Sequence, residues 1–156
     1  MPSTPEQKYL SLIIAGKSAS TDKLNTLFEQ LKPVNPSFLT GEWVGGHFGL
    51  LTVAPDVAQH ADWVARKVAW GKVFRADGSV DPFVLLDPGV KVVEAEFCGV
   101  VSAAIVSDKI PFIDYFRYVD DDTVAGQSCV GNALLAKFLG IPPFHFFMKK
   151  RRSAKL

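Results

Sequence analysis

Apolar positions recur at two spacings along this chain, and the change from one to the other divides it. Near the start, Thr4-Pro5-Glu6-Gln7 carries the signals of a helix start: Thr caps, Pro takes the first helical position, and Gln stands where a capping box needs it. That helix is expected to stop at Gly16. A second short helix is predicted over 21–31, where Leu24, Leu27, Phe28 and Leu31 share one face and Lys32-Pro33 ends the pattern. Strand-like residues follow across 41–53. Asp56 can cap a third helix, with Val57, Ala61, Val64, Ala65 and Val68 at helical spacing. After Trp70 the pattern turns extended, and Ala76-Asp77-Gly78 reads as a hairpin turn.

The second half changes period. Segments 90–97, 99–107, 111–119, 122–130 and 143–150 are rich in Val, Ile and Phe. Gly99, Asp108-Lys109, Asp120-Asp121-Asp122 and Gly140-Ile141-Pro142-Pro143 separate them. Short strands at roughly ten-residue spacing with turn chemistry between them predict an antiparallel sheet that closes or nearly closes. The fold class is therefore mainly β with N-terminal helices, an α+β chain.

Composition narrows the function classes. A length of 156 residues suits one domain, and 48% apolar residues, including twelve Phe and three Trp, can fill a core and line a pocket. The net charge of +1 implies no general attraction to nucleic acid or to a membrane surface. No apolar run reaches the roughly 18 residues of a membrane span. The N-terminus, MPSTPEQKYL, is polar and unlike a secretory signal. Two cysteines, Cys98 and Cys129, could pair, but two thiols in an otherwise core-rich chain point to a reducing compartment, with Cys129 as a core residue. These features together lead to the expectation of an intracellular, cytoplasmic protein.

The stretch TGEWVGGHF at 40–48 raises the question of chemistry. In an extended strand alternate side chains share a face, so Trp43, Gly45 and His47 point one way. Trp43 sent inward would plug one end of a lumen, with His47 deeper, toward the cavity. Trp70, Lys72 and Phe74 share strand parity, so Lys72 either snorkels off an aromatic surface or stands at the mouth as a cation for a polar ligand head. In FIDYFRYV, Asp114 and Arg117 fall on opposite faces. A buried charge needs a partner, so one of the two is expected inside with a polar partner or ligand and the other at the surface.

Other chemistries find little support. Asp120, Asp121 and Asp122 lack the spaced ligands and terminal Glu of a calcium loop and read as a solvated turn. His47, His60 and His145 form no metal-binding pair, no glycine-rich phosphate loop is present, and neither Ser nor Cys has a nucleophile signature. No metal or cofactor is implied.

Gly41-Glu42-Trp43-Val44-Gly45 resembles the pattern that names the GXWXG family, small proteins of poorly defined function. The resemblance continues through Trp70-Gly71-Lys72-Val73-Phe74, through the block from Ile110 to Arg117, through Asp120-Asp121-Asp122-Thr123-Val124-Ala125-Gly126, and into the aromatic closing strand Pro143-Phe144-His145-Phe146-Phe147-Met148. It spans about residues 24–150. The resemblance implies an antiparallel lipocalin-like β-barrel with an apolar interior for small hydrophobic molecules. One domain over 1–156 would then comprise a helical part at 1–35, a barrel at 36–150 and a basic tail at 151–156. Tyr115, Ser107 and Gln127-Ser128-Cys129 depart from the family pattern and suggest a lumen tuned for a different, more polar-decorated guest, such as an oxidised terpenoid or polyketide.

The leading expectation is binding of a small hydrophobic molecule of the fatty acid, terpenoid or polyketide type. Trp43, His47, Trp70, Lys72 and Phe74 come from the first half of the expected site, and Asp114, Tyr115, Arg117 and Gln127 from the second. The alternative is a cofactor-independent isomerase or cyclase in the same cavity, with His47, Asp114 or Tyr115 transferring protons. A third reading is an interaction protein with a filled core. The chain ends KKRRSAKL, and Ala154-Lys155-Leu156 resembles the Ser-Lys-Leu type of peroxisomal address, relevant only in a eukaryote.

Overall fold

The computed structural model describes residues 1–16, 19–48, 72–82, 90–107, 112–130 and 144–151. Two helices lead the chain. In α1 (Pro5–Ala15), Thr4 accepts from the Gln7 amide and the Gln7 side chain reaches back to the Thr4 amide, a complete capping box, and Gly16 closes the helix at φ 61°. In α2 (Thr21–Gln30), the Ser20 side chain caps the first turn, and Leu24, Leu27 and Phe28 form the buried face. A short 3-10 helix, Pro36–Leu39, follows.

Eight strands make one antiparallel sheet: β1 (Gly41–His47), β2 (Lys72–Phe74), β3 (Val80–Pro82), β4 (Val90–Phe97), β5 (Val100–Ser107), β6 (Phe112–Asp120), β7 (Thr123–Val130) and β8 (Phe144–Lys150). Their spatial order is β3-β2-β1-β8-β7-β6-β5-β4. The five strands expected in the second half are all present, each within a residue or so of its predicted start and end. The third helix expected from Asp56 lies outside the described residues.

The sheet is strongly curled. The Phe74 ring on β2 meets the Phe116 ring on β6 edge to face at 6.3 Å, although four strand spacings separate them in the sheet. In a flat sheet that distance would be about 19 Å. The expected closure into a barrel is not made as a continuous ladder. Among the described residues, the end strands meet through a single bridge, Ser79 to Lys91, with the Val92 amide donating to the Gly78 carbonyl at 2.8 Å. The end strand β3 is only three residues long, Val80–Pro82.

Two cores lie on opposite faces of this sheet. The inner face gathers Trp43, Phe74, Val80, Ala103, Ile105, Phe116, Val124, Phe146 and Met148. The outer face packs on the helices through Phe48, Val119 and Ala125 against Tyr9, Leu24, Leu27 and Phe28. Tyr9 fixes α1 to the sheet by donating its buried hydroxyl to the Phe146 carbonyl at 3.0 Å. Burial also drives the Tyr9 pKa upward, so the hydroxyl stays a donor.

The chain passes from the outer face to the inner one between β5 and β6. Those strands pair only over Ala104–Tyr115, Ile105–Asp114 and Val106–Ile113, then separate. Residues 32–34 lie in the gap. The Tyr118 amide donates to the Lys32 carbonyl at 2.8 Å and the Ala103 amide to the Val34 carbonyl at 2.9 Å. Ser102, also buried, accepts from the Val34 amide at 2.9 Å and donates to the Phe116 carbonyl at 2.6 Å. Leu31 thus belongs to the outer core and Val34 to the inner one. Ser102→Ala should destabilise the fold by about 1–3 kcal/mol, because it strands a buried amide and a buried carbonyl; urea denaturation of both proteins checks it.

Candidate functional site

The inner face is layered along the strand direction. At one end sits Trp43, 0% exposed, whose indole N–H donates to the Leu39 carbonyl at 2.8 Å. Phe38 of the 3-10 helix packs on both Trp43 and Tyr118, and the Lys150 ammonium lies over the indole at 5.8 Å. Trp43 is therefore buried at this end of the inner face, the side to which strand parity assigned it. Gly41, at φ 127°, begins the strand, with the Lys150 side chain passing against it.

The middle layer is aromatic. Phe116 meets Phe74 on one side and Phe146 on the other, both edge to face. Phe146 lies across its register neighbour Gly126, where any Cβ would overlap the ring; on the outer face Phe147 covers Gly46 in the same way. Glycine at these two positions lets a ring on β8 spread over the adjacent strand. This layer fills the interior between Trp43 and the other end.

Beyond it, two residues along β6 from Phe116, is Asp114. It is 3% exposed, pairs with Ser128 on β7 and Ile105 on β5, and the row continues to Phe144 on β8 and Val92 on β4. Among the described residues of this row the carboxyl has Val92, Ile105 and Phe144 as apolar neighbours and the Ser128 hydroxyl position beside it. Ser128 was missed as a site residue because only strand register brings it to Asp114, 14 positions earlier in the chain.

The remaining predicted residues divide. His47 shares strand parity with Trp43 and pairs with Phe146, so its backbone lies at the level of the aromatic layer. Lys72 pairs with Trp43, and Phe74 is buried in the aromatic layer. Trp70 and the tail residues Ala154-Lys155-Leu156 lie outside the described residues. Tyr115, Arg117 and Gln127, expected with the others around one cavity, face the helices instead: β6 and β7 are regular here, and alternation from inward Asp114 and Phe116 turns all three outward.

The expectation that one of Asp114 and Arg117 lies at the surface is corrected, since both are buried, on opposite faces. Arg117, 0% exposed, donates to the Leu31 carbonyl at 3.1 Å and the Phe97 carbonyl at 2.8 Å, and its guanidinium lies over Phe28 at 5.3 Å. Burial lowers its pKa, while Cys98 and Glu29 act in the opposite sense. Its partners are the end of α2 and the end of β4, so it clamps helix to sheet. Tyr115 stacks at a tilt on Phe97 at 4.5 Å, and burial raises its pKa. His145 and Gln127 both approach the Asn25 side chain of α2, at 2.6 and 3.5 Å. Burial pushes the His145 pKa down to about 4 and the Cys129 thiol up to about 11, the latter helped by the Asp114 charge. A thiol held in that state is a packing group rather than a nucleophile. Among the described residues no three His, Cys, Asp or Glu side chains gather to hold a metal ion, and no helix is long and apolar enough to cross a membrane.

Two substitutions separate packing from ligand roles. Trp43→Ala should destabilise by about 3–5 kcal/mol, as for other buried large aromatics, read as a lowered melting temperature. Arg117→Leu should lose about 2–4 kcal/mol by stranding two buried carbonyls. Arg117→Lys should recover little of it, because an ammonium cannot span both acceptors in the planar geometry of a guanidinium; denaturation midpoints of the three proteins decide.

Comparison with known proteins bears on the whole chain. Residues 26–89 match the model of the GXWXG protein family, and residues 88–150 match that of a domain of unknown function, DUF4334. No curated protein matches. A crystal structure of a protein from Thermomonospora curvata is similar over 95% of this chain and 99% of that one, with a TM-score of 0.73 and 25% identity. The chain thus carries a GXWXG segment at 26–89 followed by a DUF4334 segment at 88–150.

Proposed function

We propose that this protein binds a small, largely hydrophobic molecule against the inner face of its curled sheet, used as a lipocalin-like barrel. The observation that carries the reading is Asp114: a carboxyl buried on an apolar stretch next to Ser128, on the far side of the aromatic layer from the Trp43 plug. Ligand sites combine apolar walls with a few polar groups that fix orientation. Val92, Ile105 and Phe144 supply such walls, and Phe116 the floor. Asp114 and Ser128 are the groups that would orient a hydroxyl or amine on the guest.

A second reading is favoured by the same carboxyl. A buried Asp flanked by Ile105 and Ser128 is suited to moving a proton to or from a bound hydrocarbon skeleton, as a cofactor-independent isomerase or cyclase requires. Tyr115 faces the helices, so the proton transfer would rest on Asp114 or on His47, which shares the strand parity of Trp43.

Titration with an apolar fluorescent probe and with long-chain alcohols, amines and alkanes tests both. The wild-type protein should bind at micromolar strength. Asp114→Asn should weaken alcohol or amine binding by about tenfold or more, as expected for a hydrogen bond to a charged group, and leave alkane binding within about twofold. Failure of every apolar compound in a broad panel would remove the binding reading. Conversion of a bound guest by wild type, slowed in Asp114→Asn at unchanged affinity, would replace the carrier by the enzyme.

A further inference from the structure

His145 is buried where α2 meets the sheet. It is 6% exposed, on the outer face of β8, edge to face with Phe28 at 6.0 Å. Its Nε2 lies 2.6 Å from the Asn25 side-chain oxygen, so this nitrogen carries the hydrogen and donates. The other ring nitrogen, Nδ1, is buried and has no hydrogen-bond partner among the described residues. The arrangement suits a neutral imidazole only. A second proton would go to Nδ1, creating a buried cation with a donor that no acceptor meets.

No neighbouring group would compensate. Among the described residues, the titratable and charged groups of the elements packed around His145 are few. On α1 they are Glu6, Lys8 and the buried Tyr9, whose hydroxyl is committed to the Phe146 carbonyl. On α2, Asp22, Lys23 and Glu29 are exposed, and Glu29 accepts from the Cys98 thiol at 3.6 Å. On β6, Arg117 lies over Phe28, the ring that also touches His145, and Tyr115 packs on Phe97. On β7 there is Cys129, held in its thiol form. On β8 the lysines Lys149 and Lys150 are exposed, and on β1 Glu42 is exposed. Arg117, a cation, lies over the same Phe28 ring, the buried Asp114 belongs to the opposite face of the sheet, and among the described residues no carboxylate bonds to the ring.

We infer that His145 is a proton-operated latch: its protonation releases α2 from the sheet and, through the chain crossing at residues 31–34, loosens the inner-face site. The coupling follows from connectivity. Arg117 holds the Leu31 carbonyl at the end of α2, and three residues later Val34 is part of the inner core beside Leu39 and Trp43. Displacing α2 therefore pulls on the segment wedged between β5 and β6. Burial alone depresses the imidazole from its ordinary 6.5 to about 4 while α2 is docked. Docking is thus fully favoured above pH 6.5, weakens as pH falls, and has lost this contribution near pH 4. The latch itself stands without any ligand; its effect on a guest rests on the binding function proposed above.

The test follows amide hydrogen exchange in α2 of the full chain, corrected for intrinsic rates, from pH 7 to pH 4, with His145→Gln alongside. Gln retains a donor for Asn25 and cannot take a proton. The opening equilibrium of α2 in wild type should rise by about 100- to 300-fold over this range, and the His145→Gln variant should stay nearly flat. Equal protection of wild-type α2 at both ends, or a parallel rise in the variant, would overturn the latch. If the variant does not fold, the wild-type His145 ring resonance decides: a midpoint near 4 that coincides with α2 opening supports it, and a midpoint near 6.5 with α2 still protected refutes it. A bound apolar probe reports on the coupling. Affinity falling with α2 opening in wild type alone supports it, and affinity indifferent to α2 opening refutes it. If no probe binds at any pH, the binding function fails, and the exchange result still judges the latch.

Discussion

Between Leu31 and Val34 the backbone moves from one face of the sheet to the other, and hydrogen bonds that β5 and β6 would have exchanged are made to it instead. The Lys32 and Val34 carbonyls take the amides of Tyr118 and Ala103, and the Ser102 hydroxyl relays between the Val34 amide and the Phe116 carbonyl. Buried backbone groups must be paired, so the strands can part only where another segment fills the gap. Pro33 suits the position, because its missing N–H is one group fewer to satisfy inside the sheet. With this crossing in place, α1 and α2 are confined to the outer face, and the 3-10 helix is delivered to the inner one.

That separation gives each face its own chemistry. The inner face is built by rings: Trp43 closing one end, Phe74, Phe116 and Phe146 filling the middle, and one carboxyl beyond them. The outer face holds the polar groups that tie helix to sheet, with Arg117 gripping two carbonyls and His145 and Gln127 meeting Asn25. A side chain's role depends on which way its strand parity turns it. Asp114 and Tyr115 are adjacent in sequence and belong to different sites.

Much of the fold was legible because it is locally encoded. The Thr4 capping box, the Leu24-Leu27-Phe28 face and the period-2 segments from 90 to 150 each report a conformation decided within a few residues. The face that Trp43 takes was legible for the same reason, since alternation along one strand fixed it relative to its neighbours. The candidate site was less so. The pattern FIDYFRYV is amphipathic in neither sense, having apolar residues on both faces and one charge on each, so it could not say which face was inner.

The sequence by itself determined the helices, the strands and their order along the chain, and it carried the GXWXG pattern, because propensity, capping and alternation are properties of neighbouring residues. Only the tertiary structure decided that Ser128 stands beside Asp114, that Tyr115, Arg117 and Gln127 turn to the helices, and that the sheet curls without a continuous closing ladder. Those outcomes depend on register and on the crossing between β5 and β6, where residues 68 or more positions apart compete for the same hydrogen-bonding groups. No local pattern can express that competition, because either face of β6 could have been buried until a distant segment took one of them.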